Sequence, residues 1–186
     1  MEINTEGLNE VVLQEMETDN LKVEILQFEE LQGSKHPASA QELYFSKEVG
    51  MKMKRVKFTL DDAAIKIEPG ALHYMRGDLE IDSGTQGKGL RGFGRALWRS
   101  VTSGETVFKT TIKGTGEVYL EPTFGHFIIE EMDDSKFVAD RGIFAACDAE
   151  IEVGSERIAK VSSMLFGGEG WFQTTVEGSG LVIFEI

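Results

Sequence analysis

Between Gly87 and Gly92 the chain reads Gly-Lys-Gly-Leu-Arg-Gly, which satisfies GxGxxG letter for letter. In a dinucleotide site such a run joins a strand to a helix inside a βαβ unit. Its backbone amides reach a pyrophosphate, and an acid about 20 residues further on holds the ribose. Glu105 stands at a tolerable distance. The flanking pattern, however, is antiparallel β with no second crossover helix, so the run is read as a loop. A second arrangement is the pair Glu105 and Glu169, which occupy the same place in two copies of a repeated segment. Paired carboxylates near a symmetry axis can divide acid and base duties. Each also follows a glycine at the start of a strand, where a carboxylate accepts backbone N–H bonds. That structural service is the preferred reading.

The other reactive side chains are dispersed. His36, His73 and His126 show none of the HxH, HxxxH or HExxH spacings that hold a metal. His73 reads as an exposed or hydrogen-bonded strand histidine. Cys147 is the single cysteine, which excludes an intramolecular disulfide and a CxxC site, and it reads as core filling. The run Glu130-Glu131-Met132-Asp133-Asp134 lacks the alternating oxygen ligands of an EF-hand and reads as a solvated turn. No GxSxG, Ser–Lys or Cys–His signature is present. The expectation is a protein without catalytic residues, metal or cofactor, and not an enzyme.

One basic feature stands apart. Arg91, Arg95 and Arg99 recur every four residues, and Leu97, Trp98 and Val101 supply apolar positions beside them. This predicts a short amphipathic helix over 94–102 with an arginine stripe that meets acids on a neighbouring subunit or an anionic surface. A membrane surface is the weaker partner, since Gly92 and Gly94 shorten the helix and the overall charge is repulsive. Trp98 is the candidate interface anchor.

The elements that must position these groups are strands. The 186 residues include 21 glycines but three prolines, and the glycines punctuate short β-branched and aromatic runs. Net charge is −13, which opposes a sequence-independent grip on DNA and disfavours RNA. The chain starts without an apolar leader and contains no long apolar run, so the expected compartment is the cytoplasm. Gly104 to Glu121 returns sixty-four positions later as Gly168 to Glu185, with nine of eighteen residues identical. Gly104, Glu105, Phe108 and their counterparts Gly168, Glu169, Phe172 are the conspicuous matches. Each copy reads as a β-hairpin, turning at Gly114-Thr115 and Gly178-Ser179. Phe108 and Phe172, and Ile112 and Val176, are expected at equivalent buried sites.

Similar alignment of the preceding segments extends the duplicated units to about 64–121 and 137–186. Residues 1–40 are read as an acidic N-terminal extension with at most a helical turn near Val11–Leu13, apart from a strand at Leu21–Phe28. Residues 41–186 are read as the repeated domain. Strands are expected at Leu43–Ser46, Met51–Leu60, Ala64–Ile67, Ala71–Met75 and Asp78–Asp82, with turns at Gly50, Asp61-Asp62, Pro69-Gly70 and Gly77. The fold class is therefore all-β, two pseudo-repeated antiparallel units with one short helix.

The runs Gly70-Ala71-Leu72-His73-Tyr74-Met75-Arg76-Gly77, Ser103-Gly104-Glu105, Arg141-Gly142-Ile143-Phe144-Ala145-Ala146-Cys147, Gly168-Glu169-Gly170-Trp171-Phe172 and Gly178-Ser179-Gly180 resemble the altered-inheritance-of-mitochondria-24 family. The resemblance covers residue 44 to the C-terminus. It implies a fold related to the tryptophan RNA-binding attenuator, a double-stranded β-helix or sandwich, often assembled as trimers. It supplies no catalytic residues. The functional expectation is a non-enzymatic homo-oligomeric β-module serving as scaffold or binding platform. The alternatives are a small-molecule-binding β-domain and, by fold analogy, an RNA-binding one.

Overall fold

A computed structural model describes residues 9–32, 36–82, 110–140, 142–157 and 172–186. Among these residues, alternation of apolar and polar residues builds nine strands. They are β1 (Glu10–Glu17), β2 (Leu21–Phe28), β3 (Lys54–Ile67), β4 (Leu72–Asp82), β5 (Thr110–Leu120), β6 (Phe127–Ala139), β7 (Phe144–Asp148), β8 (Glu152–Arg157) and β9 (Phe172–Glu185). A 3₁₀ turn at Pro37–Ser39 leads into helix α1 (Ala40–Glu48). All nine strands belong to one antiparallel sheet, as the composition predicts. Among the described residues no helix is long and apolar enough to cross a membrane.

The sheet is organised by its long strands. One edge of β3 carries β2 along Lys54–Leu60 and β7 along Ile65–Ile67, while the other carries β5. β5 lies between β3 and β4; β9 lies between β6 on one side and β7 and β8 on the other. β2 and β3 send Val23, Ile25, Val56 and Phe58 into the main core, where they meet Ile112, Val118, Ala146 and Ile183. A second cluster gathers Met132, Phe144, Cys147, Ile151, Val176 and Val182. Ile112 and Val176 are both fully buried, as expected, and so is Cys147. β1 and β2, from the acidic N-terminal segment, pair into this same sheet.

Several expected turns are instead bends within continuous strands. Gly114-Thr115 lies inside β5 and Gly178-Ser179 inside β9, so neither repeat copy is a hairpin. Asp61-Asp62 is a bulge in β3, Gly77 lies inside β4, and the acidic run 130–134 lies inside β6 with a bulge at Asp133-Asp134. Turns and bulges can both use left-handed backbone, which is why their residues look alike in sequence. Asp62 (φ 50°) and Asp134 (φ 41°) show it. Each bulge is pinned by a hydroxyl: the Asp62 amide donates to Thr115 Oγ1 at 2.9 Å, and the Asp134 amide to Ser179 Oγ at 2.9 Å. Two further expectations fail. Leu43–Ser46 belongs to α1, where Ala40, Gln41, Glu42 and Leu43 favour helix. The segment near Val11–Leu13 is strand, because β2 offers it a full edge to pair with. The helix expected over 94–102 falls outside the described residues.

The glycines of β5 serve close approach. A Cβ on Gly114 (φ 126°) would stand 2.1 Å from the Asp78 carbonyl oxygen, whereas one on Gly50 (φ 74°) would meet nothing within 4 Å. Gly114→Ala therefore carries both a steric and a conformational penalty, and Gly50→Ala only the second. The expected losses are roughly 3 kcal/mol or more for Gly114→Ala and about 1–2 kcal/mol for Gly50→Ala. Urea unfolding of the two variants checks this ranking.

Candidate functional site

The bulge of β3 and the bends of β5 and β9 bring polar groups together. There a cleft of about 740 Å³ opens, and Asp62, Asp78, Glu80, Lys113, Asp148 and Glu150 line it. Lys113 Nζ pairs with Glu80 Oε2 at 3.2 Å, both groups exposed. Asp148 is held differently. Its Oδ2 accepts the Leu181 amide at 2.6 Å, an approach that a Cβ on Gly180 would block. Burial pushes the Asp148 carboxyl above the ordinary carboxylate range; the Leu181 hydrogen bond opposes this, and the charge of Glu150 adds to it. Five carboxylates against one lysine give the cleft a negative field suited to cationic solutes. Among the described residues no three His, Cys, Asp or Glu side chains converge to hold a metal.

A second polar assembly lies on the sheet face opposite the core. Register alone puts Glu24 beside Lys57 and Glu117 beside Arg76 on neighbouring strands. Lys22 bridges Glu15 (2.9 Å) and Glu24 (3.6 Å), and Lys57 bridges Glu24 (3.1 Å) and Glu117 (3.4 Å). Arg76 completes the row on Glu117. Burial raises the proton affinity of Glu117, but Arg76, Lys57 and Tyr119 outweigh it and hold the carboxyl below its usual range. The Tyr119 hydroxyl donates to Glu117 Oε2 at 3.0 Å, and burial together with that carboxylate pushes the phenol far up. Tyr119 thus keeps its proton and anchors rather than reacts.

The row ends at Arg55, whose side chain is 3% exposed. Its Nη2 donates to Glu10 Oε2 at 2.7 Å and its Nη1 to the Tyr74 hydroxyl at 3.4 Å. The guanidinium lies 4.7 Å from the Tyr119 ring, 5.3 Å from Phe28 and 5.8 Å from Tyr74. Such contacts stabilise a desolvated cation by about 2 kcal/mol or more. Glu10 Oε1 and Arg55 Nε have no partner although both are buried.

Most of the residues singled out from sequence cannot be set against this site. Arg91, Arg95, Trp98, Arg99, Gly104, Glu105, Phe108, Gly168 and Glu169 lie outside the described residues. Phe172 opens β9. His73 is exposed on β4, with Nε2 3.9 Å from Glu121. The Arg55 assembly carried a signal in the sequence: charges at Lys22, Glu24, Arg55 and Lys57 alternate with buried apolar residues, marking a second polar face.

Taken together, these features define a β-protein with an apolar and a charged sheet face and an acidic cleft at its bends. Its sequence matches the mitochondrial biogenesis AIM24 family over residues 46–186, and the chain belongs to that family. It is 28% identical to an uncharacterised protein of Streptococcus pyogenes serotype M6 over 77% of this chain and 65% of that one. The crystal structure of another Streptococcus pyogenes protein resembles it in fold, with a TM-score of 0.53 and 22% identity, covering 73% of this chain and 59% of that one. The chain thus spans less than two thirds of either relative's length.

The raised affinity of Asp148 for its proton has a definite sign. Between its ordinary value of 3.8 and its higher folded value, the native state binds more protons than the unfolded state, so stability falls as pH rises through that window. Asp148→Asn keeps an acceptor for the Leu181 amide and removes the charge. The wild type should lose stability relative to this variant as pH rises from below 3.8 to neutrality. Urea midpoints of the pair across that range measure it, and a constant difference would contradict the assignment.

Proposed function

We propose that the protein is a non-enzymatic β-module that works by assembling with copies of itself and presenting a binding surface. One observation carries this reading. α1 has nine residues and buries none of them; Tyr44 and Phe45 on it and Val49 at its C-cap are exposed at 58%, 56% and 73%. A helix shorter than about 12–15 residues is marginal in water without tertiary packing. A short helix with exposed aromatic side chains gains its stability by docking, and a second copy is the partner available at every concentration of the protein. The family resemblance makes a trimer the expected stoichiometry. By charge, the stripe of Arg91, Arg95 and Arg99 beside Trp98 is suited to the acidic surfaces of a neighbouring copy.

A second reading, a small-molecule-binding domain, draws support from the acidic cleft, whose size is that of a metabolite site. It favours cationic ligands, which would raise the melting temperature in proportion to their occupancy. RNA is the least favoured partner, given the net charge of −13.

Light scattering at micromolar protein tests assembly. The wild type should show a multiple of the 20.6 kDa chain mass, and Tyr44→Ser with Phe45→Ser should shift it toward one chain. A wild type that is monomeric throughout this range removes the reading.

A further inference from the structure

β1 is joined to the sheet's backbone ladder along one side. It pairs with β2 from Glu10 to Glu17, and the strand order leaves β1 at one end and β6 at the other. These two ends meet through a side chain. Gln14 Nε2 donates to the Ile129 carbonyl at 3.2 Å, and the Ile129 amide donates to Gln14 Oε1 at 3.4 Å. A primary amide carries the same donor and acceptor as a peptide group, so Gln14 stands in for a backbone bridge at that residue of β6. The bulge between Val12 and Gln14 is what aims it. Skipping Leu13 places Gln14 opposite Ile25 and turns both Gln14 and Met16 toward the core.

The second fastening is Glu10 on Arg55. It is buried, yet Glu10 Oε1 and Arg55 Nε lack partners, so the pair recovers only part of the desolvation it required. Beyond these, the strand is held by its ladder to β2 and the Lys22–Glu15 pair, with few buried side chains. Val11, Val12 and Leu13 are exposed, and Met16 is its contribution to the core cluster.

We propose that β1 is a strap, one that lifts from the sheet as a unit while β3, β5 and β9 stay folded. Lifting parts Gln14 from Ile129 and Glu10 from Arg55 together. It frees the outer edge of β2 and leaves Arg55 a cation without its carboxylate, among the rings of Phe28, Tyr74 and Tyr119. The physical basis is the contrast between a strand laddered along one edge, with two side-chain fastenings beyond β2, and neighbours locked by a fully buried core. Regions with few buried contacts open at lower free energy than the whole molecule.

Native-state hydrogen exchange on the full chain, read residue by residue, tests this. In the wild type, the Ile129 amide and the β2 amides bonded to β1 should exchange at least about tenfold faster than the amides joining β3 to β5. Gln14→Ala removes two hydrogen bonds and should speed the Ile129 amide by about tenfold. The β3–β5 amides serve as the internal reference and should stay within about twofold. Gln14→Glu keeps the acceptor and loses the donor, so it should fall between the two. The strap is overturned if Ile129 exchanges in step with the β3–β5 amides, or if Gln14→Ala accelerates every amide alike.

Discussion

Close passage of backbone on backbone at the bends of β4 and β5 is the constraint on which the architecture rests. Cβ atoms at Gly77 and Gly116 would fall 2.6 Å and 2.3 Å from main-chain atoms of the partner strand, so side chains are excluded there. That freedom lets β5 coil sharply enough to follow β3 through its bulge while staying bonded to β4. β9 makes a comparable bend, with the Asp148 side chain packed where a Cβ on Gly180 would stand. Because β3 and β9 each hold neighbours on both edges, the two bends decide whether the core faces close over one another.

The opposite face obeys a different rule. Exposed ion pairs such as Lys22 with Glu15 contribute little individually. Their value in this sheet is positional, since Lys22, Lys57 and Arg76 reach carboxylates across strand boundaries and a one-residue slip would break the row. Toward Arg55 the row becomes buried, and there the energetic balance shifts from weak attraction to the cost of an unpaired charge. The same row therefore runs from a register device at its solvent end to a structural lock at Arg55.

Much of this was legible in the residues. Period-two alternation marked β2 and most of the strand content, and the repeated Ile112 and Val176 were correctly read as buried. What escaped was continuity. Gly77, Gly114, Asp62 and Asp134 have the residue types of turns, and local chemistry does not distinguish a chain reversal from a bulge, because both can place such residues at φ above zero. The distinction lies in the partner strand, which only the folded molecule supplies. Helix α1 escaped because Tyr44 and Phe45 have strand propensity in isolation and the segment has no apolar period. The polar sites were harder still: Asp148 and Leu181, or Glu10 and Arg55, are brought together by topology and not by spacing. Family membership adds a fold and a lineage, and the chemistry must be read from these side chains.

Closure through Gln14 also has a consequence for synthesis. Gln14 and Ile129 are 115 residues apart, so the amino-terminal strand leaves the ribosome long before its counterpart exists. At translation rates of about 5–20 residues per second the gap lasts on the order of 6 to 23 s. During that interval Gln14 is solvated and the edge it will seal is absent. Pairing of β1 with β2 needs only a short local turn, so the first hairpin can form at once and wait. The molecule is thus assembled like a clasp whose pin is made first and whose catch arrives late, and a chaperone that engages nascent chains would meet Val11, Val12 and Leu13 before any of the core.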